Sequence, residues 1–150
     1  MDSKPSLTSD WVGILYAVAA GLEIPAMLFS AKLLRFFGKK SQMQTAMLCG
    51  FIFYAGISLS NNFYSLLLMQ FFNAFFIAVS STIGLFWFQD FLKNRQGLAA
   101  TLYTNAVSIG ILIAGILQSL FTQITPLAIW PAACVLLMLS FLLITKTDDI

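Results

Sequence analysis

Histidine is absent from this sequence of 150 residues, and charged residues make up only 9% of it. Without an imidazole, the common zinc sites and every nucleophile that depends on a histidine base are excluded. The two cysteines, Cys49 and Cys134, lie far apart in apolar surroundings, so they cannot form the disulfide framework of a small secreted protein. We expect both to be small buried residues, and we expect no metal site and no cofactor.

The sequence is instead rich in apolar residues, which make up 59% of it, with a mean hydropathy of +0.88. Ordinary soluble domains are roughly 45–50% apolar and about 25% charged. This composition therefore predicts a membrane protein with the lipid bilayer as its solvent. The formal net charge is only +2, which predicts no nucleic-acid partner.

Five apolar runs are separated by short polar breaks, and each run is close to the roughly 20 residues that a helix needs to cross a bilayer. The runs lie at about 11–31, 43–60, 63–88, 98–121 and 126–145. Lipid cannot hydrogen-bond exposed backbone, so runs of this kind must be helical. The sequence predicts an all-α, polytopic membrane helix bundle of five transmembrane helices within residues 11–150, preceded by an outer polar tail, 1–10.

Basic residues predict the orientation of this bundle, because basic loops near the ends of spans stay on the cytoplasmic side. Seven of the eight fall in breaks that share one side: Lys32, Arg35, Lys39, Lys40, Lys93, Arg95 and Lys146. We therefore expect the N-terminus outside and the C-terminus in the cytoplasm. On the same inner surface, Asp90, Lys93 and Arg95 either form a latch between helices or belong to a solvated loop.

Glu23 is the only charged residue embedded in a predicted span, about 3 Å of helical rise from its midpoint. A carboxyl group at this depth either faces a water-filled cavity or is protonated, as in proton relays, or it is a neutral group that packs by hydrogen bonding. Pro25 adds a helix defect nearby, so this span should need neighbours that shelter Glu23. No serine–lysine, paired-aspartate or histidine arrangement occurs in the spans, so we expect no enzyme.

Two predicted spans carry a stripe of neutral polar and small residues along one face. The stripes consist of Gln70, Asn73, Ser80, Ser81 and Gly84 in the third span, and of Thr101, Thr104, Asn105, Ser108, Gly115 and Ser119 in the fourth. Amides and hydroxyls that face a common cavity suit an uncharged, polyhydroxylated solute. The alternative is hydrogen bonding between helices, which uses the same residue types.

Several short strings resemble the sugar efflux transporters of the bacterial major facilitator superfamily. They are Gly21-Leu22-Glu23-Ile24-Pro25, the basic loop that ends Gly38-Lys39-Lys40, Gln70 to Ile77, Phe88-Gln89-Asp90, and Thr101-Leu102-Tyr103-Thr104-Asn105. The resemblance implies that the spans are the last five of twelve, which is part of a C-terminal half. It also implies a multi-pass protein of the bacterial inner membrane that takes part in export of sugars or glucosides, including lactose-type substrates, by proton antiport.

On this resemblance, the candidates for substrate binding or coupling are Glu23, Gln70, Asn73, Tyr103, Thr104 and Asn105. The likeness covers less than half of such a transporter, and alternating access needs two halves that move against each other. We therefore expect a truncated product without independent transport. The alternative is a small membrane protein that acts by helix association, either as a homo-oligomer or with a separately made N-terminal half.

Overall fold

The computed structural model of the chain describes residues 9–60, 62–124 and 128–147. Five helices make up nearly all of the described chain, in agreement with the predicted all-α class. They are α1 (Ser9–Leu33), α2 (Lys39–Leu59), α3 (Phe63–Phe91), α4 (Gln96–Ile124) and α5 (Ile129–Lys146). Each predicted span overlaps one helix. The predicted outer tail lies outside the described residues apart from its last two, and the predicted start of the fifth span at 126 lies outside them too.

Four helices within the described chain, α1, α3, α4 and α5, are long and apolar enough to cross a membrane. Helix α2 is less apolar because its first two turns include Lys39, Lys40, Gln42 and Gln44. The α2 crossing therefore stays a prediction from the five-span pattern.

The helices begin and end at local signals that the sequence carries. The side chain of Asn62 accepts a hydrogen bond from the backbone N–H of Tyr64 at 3.4 Å, which caps the start of α3. Between α1 and α2, the backbone N–H groups of Phe36 and Phe37 both donate to the carbonyl of Leu33 at 2.9 Å. This turn reverses the chain within five residues, so α1 and α2 end and begin at the same side of the bundle.

Helix α3 is the central element, because it packs along both α1 and α2 and also contacts α4. Helix α2 in turn packs along α5. The largest buried cluster lies among α2, α3 and α5 and consists of Met43, Ala46, Met47, Val79, Ile83 and Leu137. A bilayer supplies no hydrophobic force between helices, so close packing of this kind must hold them together.

Two glycines allow helices to approach closely where a side chain would not fit. A Cβ at Gly50 of α2 would lie 2.9 Å from a ring carbon of Phe76, and a Cβ at Gly84 of α3 would lie 2.8 Å from a ring carbon of Tyr103. The Tyr103 hydroxyl donates a hydrogen bond to the Ser80 carbonyl at 3.3 Å. The absence of a side chain at Gly84 therefore leaves the space in which Tyr103 of α4 packs against α3.

Helix α4 is fixed to the bundle at one end only. Ala99 is fully buried and Tyr103 is partly buried, but every residue from Thr104 to Leu120 is exposed. Contact between α4 and α5 is slight within the described residues. Beyond Tyr103, α4 therefore stands largely free of the other four helices.

Replacing Gly84 by Val is expected to loosen α4, because the added methyl groups would collide with the Tyr103 ring. Overpacking of this kind costs about 1–3 kcal/mol. We expect a lower thermal unfolding temperature in detergent and faster proteolysis within α4. Gly110→Val is the matched control, since a Cβ at Gly110 meets nothing within 4 Å. Equal effects of the two substitutions would contradict the role given to Tyr103.

Candidate transport site

A cleft of about 600 Å³ opens between α4 and α5 and reaches inward to α3. All five helices contribute to the cleft. The contributing parts are the start of α1, α3 and α5 and the end of α2 and α4, at the end of the bundle away from Lys39 and Lys40. The lining residues used below are Tyr16, Tyr54, Gln70, Asn73, Gln118 and Trp130. Because α4 diverges from α5 here, the cleft is open at its side.

Two amides and two aromatic rings give the cleft its chemical character. The Asn73 side-chain N–H donates to the Gln70 Oε1 at 3.3 Å, so the two amides form one unit on α3. The rings of Tyr54 and Trp130 lie with centroids 6.3 Å apart and planes tilted by 36°. No charged residue lines the cleft within the described part of the chain. The arrangement can therefore donate and accept hydrogen bonds and offer ring faces to an uncharged ligand.

Only two of the six predicted substrate or coupling residues, Gln70 and Asn73, line this cleft. Tyr103 is a packing residue that lies between Gly84 and Phe88. The centroids of the Tyr103 and Phe88 rings are 5.6 Å apart. Thr104 and Asn105 lie on the exposed part of α4. The predicted polar stripe of α3 is thus divided, with its first half at the cleft and its second half beneath Tyr103.

Three of the four hydroxyl groups of the predicted α4 stripe are satisfied within their own helix. Thr101, Thr104 and Ser108 each donate to the carbonyl four residues earlier, at 2.9 to 3.0 Å. The amide of Asn105 has no hydrogen-bond partner among the described residues. An amide without a partner costs roughly 2–7 kcal/mol in an apolar medium, so Asn105 needs a group that the five helices do not provide.

Glu23 lies in the middle of α1 and is partly buried. It does not line the cleft, and it has no hydrogen bond or ion pair with another residue that the structure describes. Its neighbours Ile24 and Pro25 are exposed. The predicted shelter for this carboxyl group is therefore incomplete within the described bundle, and its role in coupling stays a prediction.

At the opposite end of the bundle, two lysines of α2 connect three elements. Lys39 forms an ion pair with Asp90 at the end of α3, and the Lys40 ammonium group donates to the Thr147 carbonyl after α5 at 2.6 Å. Asp90 therefore pairs with the start of α2. Lys93 and Arg95, its predicted companions in a latch, are both exposed.

Sequence reasoning missed most of the residues that line the cleft, among them Tyr16, Tyr54, Gln118 and Trp130. Gln118 lies off the α4 stripe by about 80° from Ser108 at 100° per residue, so the periodicity did not select it. Tyr16 and Trp130 each lie in the first third of a helix, at the end of the bundle without basic residues. Aromatic residues are common near the ends of membrane spans, and that signal could have marked both.

These features define the class of the protein: a polytopic helical membrane protein with an uncharged polar and aromatic cleft. Residues 4–149 match the family described as Major Facilitator Superfamily. The chain belongs to this superfamily. Curated relatives that it resembles are named sugar efflux transporters. It is 39% identical to sugar efflux transporter A of Escherichia coli over 123 residues, which cover 82% of this chain and 31% of that protein.

Two further relatives carry the same name or a closely similar one. The chain is 38% identical to sugar efflux transporter A of Dickeya chrysanthemi, over 75% of its own length, and 35% identical to sugar efflux transporter C of Escherichia coli, over 79%. It spans about 30% of the length of these relatives. No solved structure matches the chain.

The ion pair between Lys39 and Asp90 can be tested by a double-mutant cycle. We expect Lys39→Gln and Asp90→Asn each to lower stability by up to about 1 kcal/mol, because both groups are partly exposed, and the double variant to cost little more than either single one. Thermal unfolding in detergent measures all three. Lys93→Gln, which removes an unpaired cation nearby, should have no effect. A loss from Lys93→Gln as large as that from Lys39→Gln would favour the predicted pairing of Asp90 with Lys93.

Proposed function

We propose that this chain forms the C-terminal five-helix portion of a proton-coupled sugar efflux transporter, and that export needs helices beyond the five described. The observation that carries the proposal is the exposure of α4 from Thr104 to Leu120 beside an open polar cleft. A polar solute path through lipid must be walled by protein on every side. The five helices leave one side open, so they do not move sugar by themselves.

The packing pattern supports a definite position for the nearest additional helix. Facilitator halves consist of two inverted three-helix repeats, which relate α1 to α4, α2 to α5, and α3 to the first helix of the half. Helix α3 is the common partner of α1 and α2. By the same symmetry, α4 and α5 require a common partner, which would close the open side of the cleft between them. Such a helix would also bring a neighbour to Asn105.

The chemistry of the cleft and of the stripes supports an uncharged sugar as the substrate. Gln70 and Asn73 can each donate and accept hydrogen bonds, as a polyhydroxylated solute requires, and the rings of Tyr54 and Trp130 suit the apolar faces of a sugar. The relatives are named for sugar efflux. In this proposal Glu23 carries the proton, since a carboxyl group at that depth is otherwise costly.

A second candidate function rests on the same exposed helix. Ala106, Gly110 and Ala114 form a small-residue ridge on α4, and the space around Gly110 is open. Ridges of this spacing let two helices pack closely in lipid. The alternative is therefore a membrane protein that acts by association, with a second copy of itself or with a separate N-terminal half, without export of its own.

The proposal predicts that vesicles containing only this 150-residue polypeptide release preloaded lactose or glucoside no faster than empty vesicles. Export should appear when the chain is combined with sugar efflux transporter A of Escherichia coli from which the matching segment has been deleted. Glu23→Gln in the combined protein should abolish efflux driven by a pH gradient while membrane insertion stays intact. Sugar release by the chain alone would contradict the proposal.

Photo-crosslinking tests which surface receives the additional helix. A benzophenone side chain at Leu136, which lines the cleft, should capture the complementing part of the transporter. The matched control is Met138 on the other side of α5, which is 50% exposed against 54% for Leu136 and should give at least several-fold less product. Capture of a second copy at Leu136 would support the association alternative instead.

A further inference from the structure

Every lysine and arginine that the structure describes lies at one end of the bundle. This basic end comprises the end of α1, the α1–α2 turn, the start of α2, the α3–α4 connection and the end of α5. The residues are Lys32, Arg35, Lys39, Lys40, Lys93, Arg95 and Lys146. At the opposite end, the described residues Ser60, Asn62, Thr122 and Gln123 are uncharged, and the start of α1 carries the acidic residue Asp10.

Two of these seven cations are used inside the protein, and five are not. Lys39 pairs with Asp90, and Lys40 donates to the Thr147 carbonyl. The side chains of the other five are exposed, and none of these side chains has a hydrogen bond or ion pair with another residue in the described ranges. The only acidic group described at this end, Asp90, is already paired, so the free cations have no partner of opposite charge among the residues that the structure describes.

The α1–α2 turn presents two of the free cations beside exposed aromatic rings in a fixed geometry. The Leu33 carbonyl accepts from the N–H groups of Phe36 and Phe37, and the Gln42 side chain donates to the Phe37 carbonyl at 3.3 Å. The Phe36 side chain is 77% exposed and that of Phe37 53%. These hydrogen bonds fix the backbone of the turn, and both rings are exposed at the surface. The apolar part of α1 ends next to them, between Lys32 and Arg35.

The turn also lies next to the end of α3. The ion pair between Lys39 and Asp90 joins the two segments, and α1 packs along α3 over its length. The exposed ring of Phe91 follows Asp90 directly, and Lys93 and Arg95 come two and four residues later. Cations and rings from two segments therefore meet at one level of the bundle.

We propose that the α1–α2 turn is a binding site for one anionic phospholipid. Lys32 and Arg35 hold the phosphate, Phe36 and Phe37 lie against the glycerol and upper acyl chains, and Lys93 and Arg95 add to the local positive potential. Aromatic rings favour this depth of a bilayer, and basic residues beside a membrane span attract anionic headgroups. A guanidinium group additionally forms paired hydrogen bonds with a phosphate. A zwitterionic phospholipid offers no net charge to balance the free cations.

The site can be measured with a tryptophan reporter at the turn. Phe36→Trp introduces an emitting group at an exposed position, and the parent chain supplies the background from its own three tryptophans. The protein is reconstituted in phosphatidylcholine vesicles that contain brominated phosphatidylglycerol or brominated phosphatidylcholine. We expect the reporter to show severalfold tighter association with the anionic lipid. Equal quenching by the two lipids would overturn the proposal.

Charge variants separate a defined site from a general attraction. On the Phe36→Trp background, Lys32→Gln and Arg35→Gln should each lower the preference for phosphatidylglycerol by about fivefold. Lys146→Gln removes the same charge from α5 and is expected to leave the preference unchanged. A similar loss from all three variants would mean that the surface potential acts diffusely and that no site exists at the turn.

A soluble anion distinguishes a lipid from a free phosphate. Glycerol 1-phosphate at millimolar concentration is expected to leave the quenching by brominated phosphatidylglycerol unchanged, because it lacks the acyl chains that contact Phe36 and Phe37. Phe37→Ser should weaken lipid association without changing the dependence on Arg35. Displacement of the lipid by glycerol 1-phosphate would overturn the proposal in favour of a site for small phosphates.

Discussion

The structure depends on close contact between helices in a solvent that does not drive helices together. In lipid, apolar side chains gain nothing by leaving the solvent, so association relies on dense packing and on a few hydrogen bonds. Helix α3 meets this need with small buried residues, Ala74, Ala78 and Gly84, which allow α1, α2 and α4 to approach it. Helices α1, α2 and α4 pack directly on α3, and α5 packs on α2.

The same constraint explains the different surroundings of α4. At Tyr103, α4 packs against Gly84 and donates a hydrogen bond to the Ser80 carbonyl, so α4 is fixed to α3 at this point. Beyond Tyr103, the hydroxyl groups of Thr104 and Ser108 donate to backbone carbonyls of α4 itself. The apolar residues of α4 can contact either lipid or another helix without a difference in hydrophobic free energy. The surface of α4 therefore stays compatible with a partner, while the unpaired amide of Asn105 favours one.

Charge divides the molecule along its length. The end without basic residues holds the cleft, which is lined by amides and aromatic rings, and the basic end holds the turns. At the basic end, Lys39 and Lys40 connect α2 to the ends of α3 and α5, so part of the positive charge at this end also stabilises the bundle. The remaining cations face outward, toward the level of the lipid headgroups.

The sequence by itself determined the helical class, the five elements and the uncharged polar character of the stripes, because spans of about 20 apolar residues in lipid must be helices. It also marked Gln70 and Asn73. Only the tertiary structure decided which faces meet. Tyr103 packs on Gly84 and does not line the cleft, and Asp90 pairs with Lys39. Tyr54 and Trp130 line the cleft together with the two amides. Periodicity assigns residues to one face of a helix, but the partner of that face depends on where the neighbouring helices can approach. That is set by small residues such as Gly50 and Gly84 acting between distant segments.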